Sequence, residues 1–401
     1  LAVLSQPLGV EIERARYLVS PDGRAALASL APVTPHDDPN TLVARLRRAY
    51  PPDAASALSE QAALRARAST RFPAVPEMFL TGPGLEMMTH PLVAERRATR
   101  LAALGLAVAD LTCGLGGDLK ACANLGLPVV GIERDNATAV LAQANVPTAG
   151  ICIGDAARAP LRVERHAVVL DPSRRDGARR TFNPAAFSPD WETCLAILSE
   201  ARAAVLKAPP GLDRDRIPPC AEMEAVQLGR DMREVTLWAG AGAQPGLRRA
   251  VLLPSGAELP STEPECPEAP RPIGRYVVDP ESCVTRAGLV RHLGHRLGAA
   301  LLDAQVAYLS TDTPAFDPLA ATFEVLDVVP FSVRRLKETL RAHRWRPAEI
   351  RRRAFPVEPD ELRRLLGRLD GDDVALLCTT LAGARTVIIA RRAPPESLPG
   401  A

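Results

Sequence analysis

Apolar positions along this chain change their period twice. Up to Ser69 they recur at helical spacing over Ile12–Val19, Gly23–Leu30, Thr41–Arg48 and Ala54–Ala68, with Pro and Asp clusters between. That spacing predicts an N-terminal helical domain over 1–71, and Leu92–Leu104 reads as a further helix. Short apolar runs then take over. One ends at Asp110, Val129–Ile132 ends at Glu133, and Ala149–Ile153 precedes Gly154-Asp155-Ala156. Ala167–Leu170 ends at Asp171, and Ala204–Leu206 ends at Lys207. Helical segments lie between them: Leu119–Leu125, Ala137–Ala144 and Trp191–Ala201. Such alternation predicts a parallel α/β sheet with helices on both faces. Val235–Trp238 and Ala250–Leu253 read as late strands, and Ser255-Gly256 as the turn of a hairpin-like end.

Pro254–Pro272, rich in Pro, Glu and Ser, reads as a loop or linker, and Arg286–Leu302 as an amphipathic helix. A second α/β pattern follows. Ala321–Val329, Glu349–Phe355, Val374–Thr379 and Ala384–Ala390 are extended, and Ser332–His343 and Pro359–Leu369 are helical. The expected division is a helical domain at 1–71, the sheet domain at 72–260, a linker and helical connector at 261–320, and a small α/β domain at 321–395.

A length of 401 residues exceeds one ordinary core, in keeping with several domains. The formal net charge is only +2, so a nucleic-acid surface has to be local. The eight cysteines are scattered with no C-x-x-C pair, which argues against a disulfide framework or a zinc knuckle. His292 and His295 share a helix face but have no further ligands nearby, so no metal is expected. The chain opens on Leu1 rather than Met, and we expect a start upstream. No apolar run is long enough to cross a membrane and no signal segment is read, so a cytoplasmic protein is expected.

The chemistry concentrates at Val108–Asp118, where a strand runs into a glycine-rich turn and a helix start. Gly114, Gly116 and Gly117 let a ligand approach the backbone, and the helix start offers free N–H groups. A dinucleotide site wants G-x-G-x-x-G under a pyrophosphate. The third spaced glycine is missing here, and Asp110 and Asp118 would repel that anion. They suit a cationic ligand carrying an amino group. Asp110, Glu133, Asp155 and Asp171 all fall at strand ends, where ligands of such sheets bind.

The stretch Asp110-Leu-Thr-Cys-Gly-Leu-Gly-Gly-Asp118 resembles the first motif of class I S-adenosylmethionine-dependent methyltransferases. Gly84–Ala94, Gly131-Ile-Glu-Arg-Asp135, Asp171-Pro-Ser-Arg-Arg175 and Arg286-Ala-Gly-Leu-Val290 extend the likeness. From about Phe72 to Arg392 the chain resembles bacterial class I methyltransferases with a C-terminal THUMP-like domain, whose core is similar to the trimethylguanosine synthase type. The resemblance implies a Rossmann-like methyltransferase sheet, an enzyme and S-adenosylmethionine as its cofactor. It implies a cofactor set of Asp110, Cys113, Gly114, Gly116, Gly117, Asp118, Glu133, Arg134, Asp155 and Ala156. Within that set Glu133 would take the ribose hydroxyls, and Asp155 with the Ala156 N–H would take the adenine. The segment before the first strand would cover the methionine end, where Thr89 and His90 are either contacts or turn residues ahead of Pro91.

The acceptor side is read from the fourth strand end. Methyltransferases of exocyclic amines have a second Pro and an aromatic after this position; here the loop is Asp171-Pro172-Ser173-Arg174-Arg175. Asp171 could accept a proton or orient a nucleophile, beside Pro172, while Arg174 and Arg175 could hold a phosphate or carboxylate. The last domain is locally basic at Arg334, Arg335, Lys337, Arg341, Arg344, Arg351, Arg352 and Arg353, with Trp345 among them. Arginines with an aromatic suit phosphates and an unstacked base; a solvated arginine-rich face is the plain alternative. THUMP domains bind RNA, so the resemblance implies RNA as the partner. Two rivals stay open. One is a small-molecule methyltransferase that clamps an anionic metabolite on Arg174 and Arg175, and the other a non-catalytic RNA-binding protein that keeps the fold.

Overall fold

The computed structural model describes residues 8–34, 37–72, 77–173, 175–176, 179–180, 187–209 and 211–394. The chain forms two compact units, Leu1–Glu222 with Thr236–Gly246, and Met223–Val235 with Leu247–Ala401.

The first unit begins with helices α1 (Leu8–Val19), α2 (Pro21–Ser29), α3 (Pro39–Leu46) and α4 (Pro52–Arg71), followed by α5 (Gly82–Met87) and α6 (Pro91–Ala102). Pro stands in the first turn of α2 to α6, where its missing N–H costs nothing, and Ser20, Asp38, Thr81 and His90 cap α2, α3, α5 and α6. The sheet then builds in chain order: β1 (Val108–Asp110), α7 (Gly117–Asn124), β2 (Val129–Glu133), α8 (Asn136–Asn145), β3 (Gly150–Ile153) and β4 (Ala167–Leu170). A short antiparallel pair, β5 (Arg175–Asp176) and β6 (Arg179–Arg180), precedes α9 (Trp191–Glu200) and β7 (Ala203–Ala208). Strands lie in the order β3-β2-β1-β4-β7, all parallel. The chain reverses its direction of travel between β1 and β4, which opens a crevice at their carboxyl ends.

Strands β1, β4 and β7 are buried along their whole length, so they read as unbroken apolar runs rather than alternating ones, while edge strand β3 is largely exposed. Alternation still sorts their side chains. Val108, Val129, Ala167, Val169, Ala203 and Val205 share one apolar cluster with Ala94, Ala98 and Leu101 of α6 and Leu119 of α7. Two residues further along, on that same face, stand Asp110, Gly131, Asp171 and Lys207.

The N-terminal helices are built onto the sheet's helical layer. Ala15, Leu18, Leu58, Leu64 and Phe72 share a core with Met78, Phe79, Leu80, Leu115 and Leu141. Two buried amides clamp the segment between. Gln61 accepts from the Leu80 N–H (3.1 Å) and donates to the Met78 carbonyl (3.2 Å). Asn145 accepts from the Phe79 N–H (2.7 Å) and donates to the Phe79 and Leu115 carbonyls (3.0 Å each).

In the second unit β8 (Glu222–Leu228) runs parallel to β10 (Arg248–Leu253), which turns at Ser255-Gly256 into antiparallel β11 (Ala257–Pro260). This is the hairpin-like end expected from the sequence. Strand β9 (Asp231–Gly240) begins in this unit and ends in the first. A seven-stranded sheet follows, in the order β13-β14-β12-β15-β18-β17-β16. Its strands are β12 (Tyr276–Pro280), β13 (Ala300–Asp303), β14 (Val306–Thr311), β15 (Ala320–Pro330), β16 (Trp345–Arg353), β17 (Asp372–Leu381) and β18 (Ala384–Arg392). Helices α12 (Val333–Ala342) and α13 (Pro359–Leu366) cover one face through Leu336, Leu340, Leu362 and Leu366. The helix expected over Arg286–Leu302 is instead α10 (Ser282–Ala287), α11 (Val290–Arg296) and β13. Gly288 (φ 70°) and Gly298 (φ 61°) adopt left-handed conformations that stop each helix, so local apolar periodicity runs across breaks it does not register.

Replacing Asn145 with Ala strands three buried backbone groups. At about 1–3 kcal/mol for each unsatisfied group, thermal unfolding of Asn145→Ala is expected several degrees below the parent, with the Phe79–Leu115 region losing hydrogen-exchange protection first.

Candidate cofactor and acceptor site

The turn after β1 is held by backbone bonds on three sides. Leu111 N–H donates to the Val169 carbonyl (3.0 Å), Cys113 N–H to the Ile132 carbonyl (3.0 Å) and Gly116 N–H to the Cys113 carbonyl (2.8 Å). Gly114 (φ 52°) and Gly116 (φ 82°) take left-handed conformations, and Gly116 caps α7 without lining the cavity. Gly131 on β2 is needed for a different reason. A Cβ there would lie 2.6 Å from Leu119 Cδ1 and 2.8 Å from Cys113 Sγ, so glycine lets the turn and α7 sit against the strand.

Glu133 closes β2 and spends both oxygens on backbone, accepting from Gly114 N–H (3.0 Å) and Asp135 N–H (2.8 Å). It fixes the glycine turn relative to the end of the next strand. Asp155 is exposed and caps a short 3₁₀ turn through the Ala157 N–H (2.9 Å), and Ala156 beneath it is buried. Arg134 donates to the Ser188 hydroxyl (2.9 Å). Ser188 in turn bridges Ser173 through paired backbone bonds of 2.9 and 3.1 Å. Asp171 N–H donates to the Thr112 hydroxyl (2.6 Å), tying the fourth strand end to the turn after the first.

Asp110 and Asp118, which the sequence presents as one acidic pair, are in distinct electrostatic situations. Asp118, in the first turn of α7, is buried against Arg97 of α6 and Lys207 of β7 (3.0 Å), and it accepts from the Thr89 hydroxyl (3.1 Å). Burial alone would raise its carboxyl; the two cations outweigh it and hold Asp118 well below the usual carboxylate range. Asp110 is 3% exposed and accepts from the Thr112 N–H (3.0 Å). Burial, then the neighbouring Asp118 charge, push it up to about 7. The Cys113 thiol is pushed far up by burial, so it is no nucleophile at neutral pH.

Lys207, read in the sequence as the end of a strand and given no site role, joins the two sides. It is 5% exposed, donates to Asp171 Oδ2 (2.8 Å) and Asp118 Oδ2 (3.0 Å), and also bonds the Thr89 hydroxyl. The clue was its place two residues beyond Val205 on the strand face that carries Asp110 and Asp171.

These groups open onto one cavity of about 950 Å³. Asp110, Cys113, Gly114, Gly117, Asp118, Glu133, Arg134, Asp155, Ala156, Asp171 and Pro172 all line it. Its far wall comes from the N-terminal helices, with Glu11, Arg14 and Leu18 on α1 and Glu60 and Gln61 on α4, to which the sequence assigned no site. Arg174 lies outside the described residues, as does the side chain of Arg175, whose backbone begins β5.

The basic residues of the second unit fall into two sets. Arg351 and Arg353 of β16 both bind buried Asp279 (2.6 Å each). Arg352 pairs with Glu358, and Arg334 with Glu338 one helical turn away (2.9 Å). Arg335, Arg341 and Arg344 are exposed, Lys337 is half-buried beside them, and His343 stacks on Trp345 at 4.4 Å.

A relative from Mycobacterium tuberculosis, an uncharacterized S-adenosylmethionine-dependent methyltransferase, is 37% identical over 318 residues, covering 77% of this chain and 86% of the relative. The chain belongs to the S-adenosylmethionine-dependent methyltransferases. Residues 320–392 match the family described as THUMP domain-like, so it is a class I methyltransferase with a C-terminal THUMP-like domain. Residues 11–68 match a domain of unknown function, DUF8688. The crystal structure of a candidate methyltransferase from Porphyromonas gingivalis shares the fold, with a TM-score of 0.74, 22% identity, and coverage of 96% of this chain and 98% of that one.

In this methyltransferase the Arg97–Asp118–Lys207 group is the charge centre of the first unit. Arg97→Leu leaves Asp118 with one cation. Breaking a buried pair by removing one partner costs about 3–5 kcal/mol, and a urea titration should show the loss as a lowered midpoint at unchanged slope.

Proposed function

We propose that the cavity of the first unit binds S-adenosylmethionine against Asp110, the Gly114–Gly117 turn, Glu133, Asp155 and Ala156, and that the methyl group goes to an RNA nucleotide. The observation carrying the first half is Asp110. It is a buried carboxylate that is pushed upward, at the mouth of a glycine turn. A carboxylate in that state takes a positive charge from a ligand. The residues present therefore fit this cofactor, which when bound supplies an electrophilic methyl on a sulfonium.

Each group of the chain then has a distinct task. Asp110 balances cofactor charge. Glu133, its oxygens already aimed by two backbone N–H groups, offers its remaining lone pairs to the ribose hydroxyls. Asp155 and the Ala156 N–H take the adenine end. Asp118 is already neutralised by Arg97 and Lys207, and it acts on the turn rather than on the ligand. Asp171 faces the cavity from the acceptor side. Holding the two reactants in line makes the transfer effectively unimolecular, which is the main contribution open to the chain's own residues.

The RNA half rests on the exposed cations of α12 and its end, beside the His343–Trp345 stack, within a domain that matches the THUMP-like family. Cations near an aromatic suit phosphates next to an unstacked base.

A group raised when free and paired when bound makes affinity depend on pH. Below about 7 Asp110 has to lose a proton before it can hold a cation. Calorimetry with S-adenosylhomocysteine, whose amino group keeps its charge, should show affinity falling toward about tenfold per pH unit below 7. Asp110→Asn should bind weakly at every pH. In the free protein the sign is opposite. The raised group favours folding at low pH and loses that contribution as pH rises from about 4 through 7, so Asp110→Asn should melt higher than the parent at pH 8. Equal pH profiles for the two proteins would sink the assignment.

For the acceptor, labelled S-adenosylmethionine with total RNA from a deletion strain should place label in RNA, mapped by mass spectrometry. Label found only in the small-molecule fraction would overturn the RNA half. The triple change Arg335→Ala, Arg341→Ala, Arg344→Ala should weaken RNA binding and reduce its salt slope by about 0.7 per lost phosphate contact, leaving S-adenosylhomocysteine binding as it was.

A further inference from the structure

We infer that Lys207 is a positioning residue that fixes Asp171 as a proton acceptor, and that the acceptor substrate is therefore a protic nitrogen or oxygen nucleophile rather than a carbon. This rests on the reading of the cavity as the reaction site, but not on the acceptor being RNA.

The geometry begins with the strands. Lys207 follows Ala203 and Val205 on one face of β7, and Asp171 follows Ala167 and Val169 on the same face of adjacent β4, with Leu170 and Leu206 paired in register between them. Lys207 thus meets Asp171 from the neighbouring strand (2.8 Å). Its ammonium is fixed from behind by Asp118 (3.0 Å) and the Thr89 hydroxyl, and Asp118 is itself held by Arg97. Among the described residues, three acceptors from three separate elements hold this ammonium, which orients the lysine toward Asp171. Asp171 is held at its other end too, since its own N–H donates to Thr112 Oγ1 (2.6 Å).

The two oxygens of Asp171 then have different roles. Oδ2 is taken by Lys207, while Oδ1 has no partner among the described residues, on a side chain 28% exposed that lines the cavity. A carboxylate held this way can accept a hydrogen bond from an N–H or O–H and then its proton. The bookkeeping is that of a displacement. The nucleophile's lone pair forms the bond to the methyl carbon, the carbon–sulfur pair stays on sulfur, and the nucleophile's proton passes to Asp171 Oδ1. Methylation of an aromatic carbon commonly needs a thiolate to add to the ring first. Cys113 is the cavity's cysteine among the described residues, and burial keeps it a thiol.

The first test needs no substrate. In the free protein the Lys207 ammonium should give a resolved, slowly exchanging ¹⁵N signal, identified by its loss in Lys207→Met and displaced in Asp171→Asn. An ammonium signal that ignores Asp171→Asn overturns the inference. The second uses whichever fraction of a deletion-strain extract, RNA or small molecules, takes label from S-adenosylmethionine. Lys207→Met should lose about 100-fold or more in kcat with acceptor KM within about threefold, and Lys207→Arg should recover part of the loss. The double variant Lys207→Met/Asp171→Asn should be no worse than its poorer parent, as for groups that act as one unit. Additive losses, or a Lys207→Met loss seen only in S-adenosylhomocysteine affinity, show a purely structural lysine and overturn the inference. A methyl group mapped to carbon overturns the acceptor class. Label confined to small molecules would refute RNA while leaving the Lys207 result standing.

Discussion

Everything at the cavity depends on how Asp118 is neutralised. A carboxylate in the first turn of α7 gains from the helix dipole, but not enough to offset burial. Arg97 from α6 and Lys207 from β7 close the deficit. The group ties two helices to the sheet at the point where the glycine turn enters α7. Because Lys207 also reaches Asp171, the same charge centre sets the geometry of the fourth strand end. A structural requirement and a chemical one are met by one lysine.

Asp110 shows what happens without such a partner. It lies on the same face, close enough for Asp118 to raise it further, and the Lys207 charge and the Thr112 N–H that work the other way do not outweigh burial. The resulting imbalance is confined to one carboxylate at the glycine turn. From sequence alone Asp110 and Asp118 read as an equivalent acidic pair suited to a cation. The structure separates them: one is spent on the fold and the other is held with its charge only partly compensated.

The carboxylates at strand ends were legible because a parallel sheet delivers successive strand ends to one side, and short apolar runs ending in Asp or Glu mark those ends without any tertiary information. Lys207 was in the same register and carried the same signal, but a lone lysine after an apolar run also reads as an ordinary strand terminus. Gly131 was quoted only as part of a motif, since its necessity lies in the approach of Leu119 and Cys113 from elsewhere in the chain. The wall formed by α1 and α4 was beyond reach for a similar reason. Helical periodicity shows that Ile12–Val19 has an apolar face, not that Leu80, Leu115 and Leu141 cover it and so turn Glu11 and Arg14 toward the cavity. Strands β12 to β14 were lost in a stretch whose Pro content reads as linker and whose helices break at glycines.

The basic cluster of the last domain shows the limit of counting charges. Arg351 and Arg353 alternate on β16, so they point to one face, and both reach Asp279 at the end of β12. Burial works against the Arg351 charge, yet the Asp279 and Glu349 carboxylates hold it well above its ordinary range. These two arginines bridge strands β16 and β12, which are not neighbours in the sheet order, and are spent on Asp279 rather than offered at a surface. What remains for an anionic partner is the outer face of α12 and its end, where Leu336 and Leu340 turn inward and Arg335, Arg341 and Arg344 stay in water. Amphipathic spacing sorts the helix cations into that outer set; only the strand's partners across the sheet reveal that the other arginines are already bound.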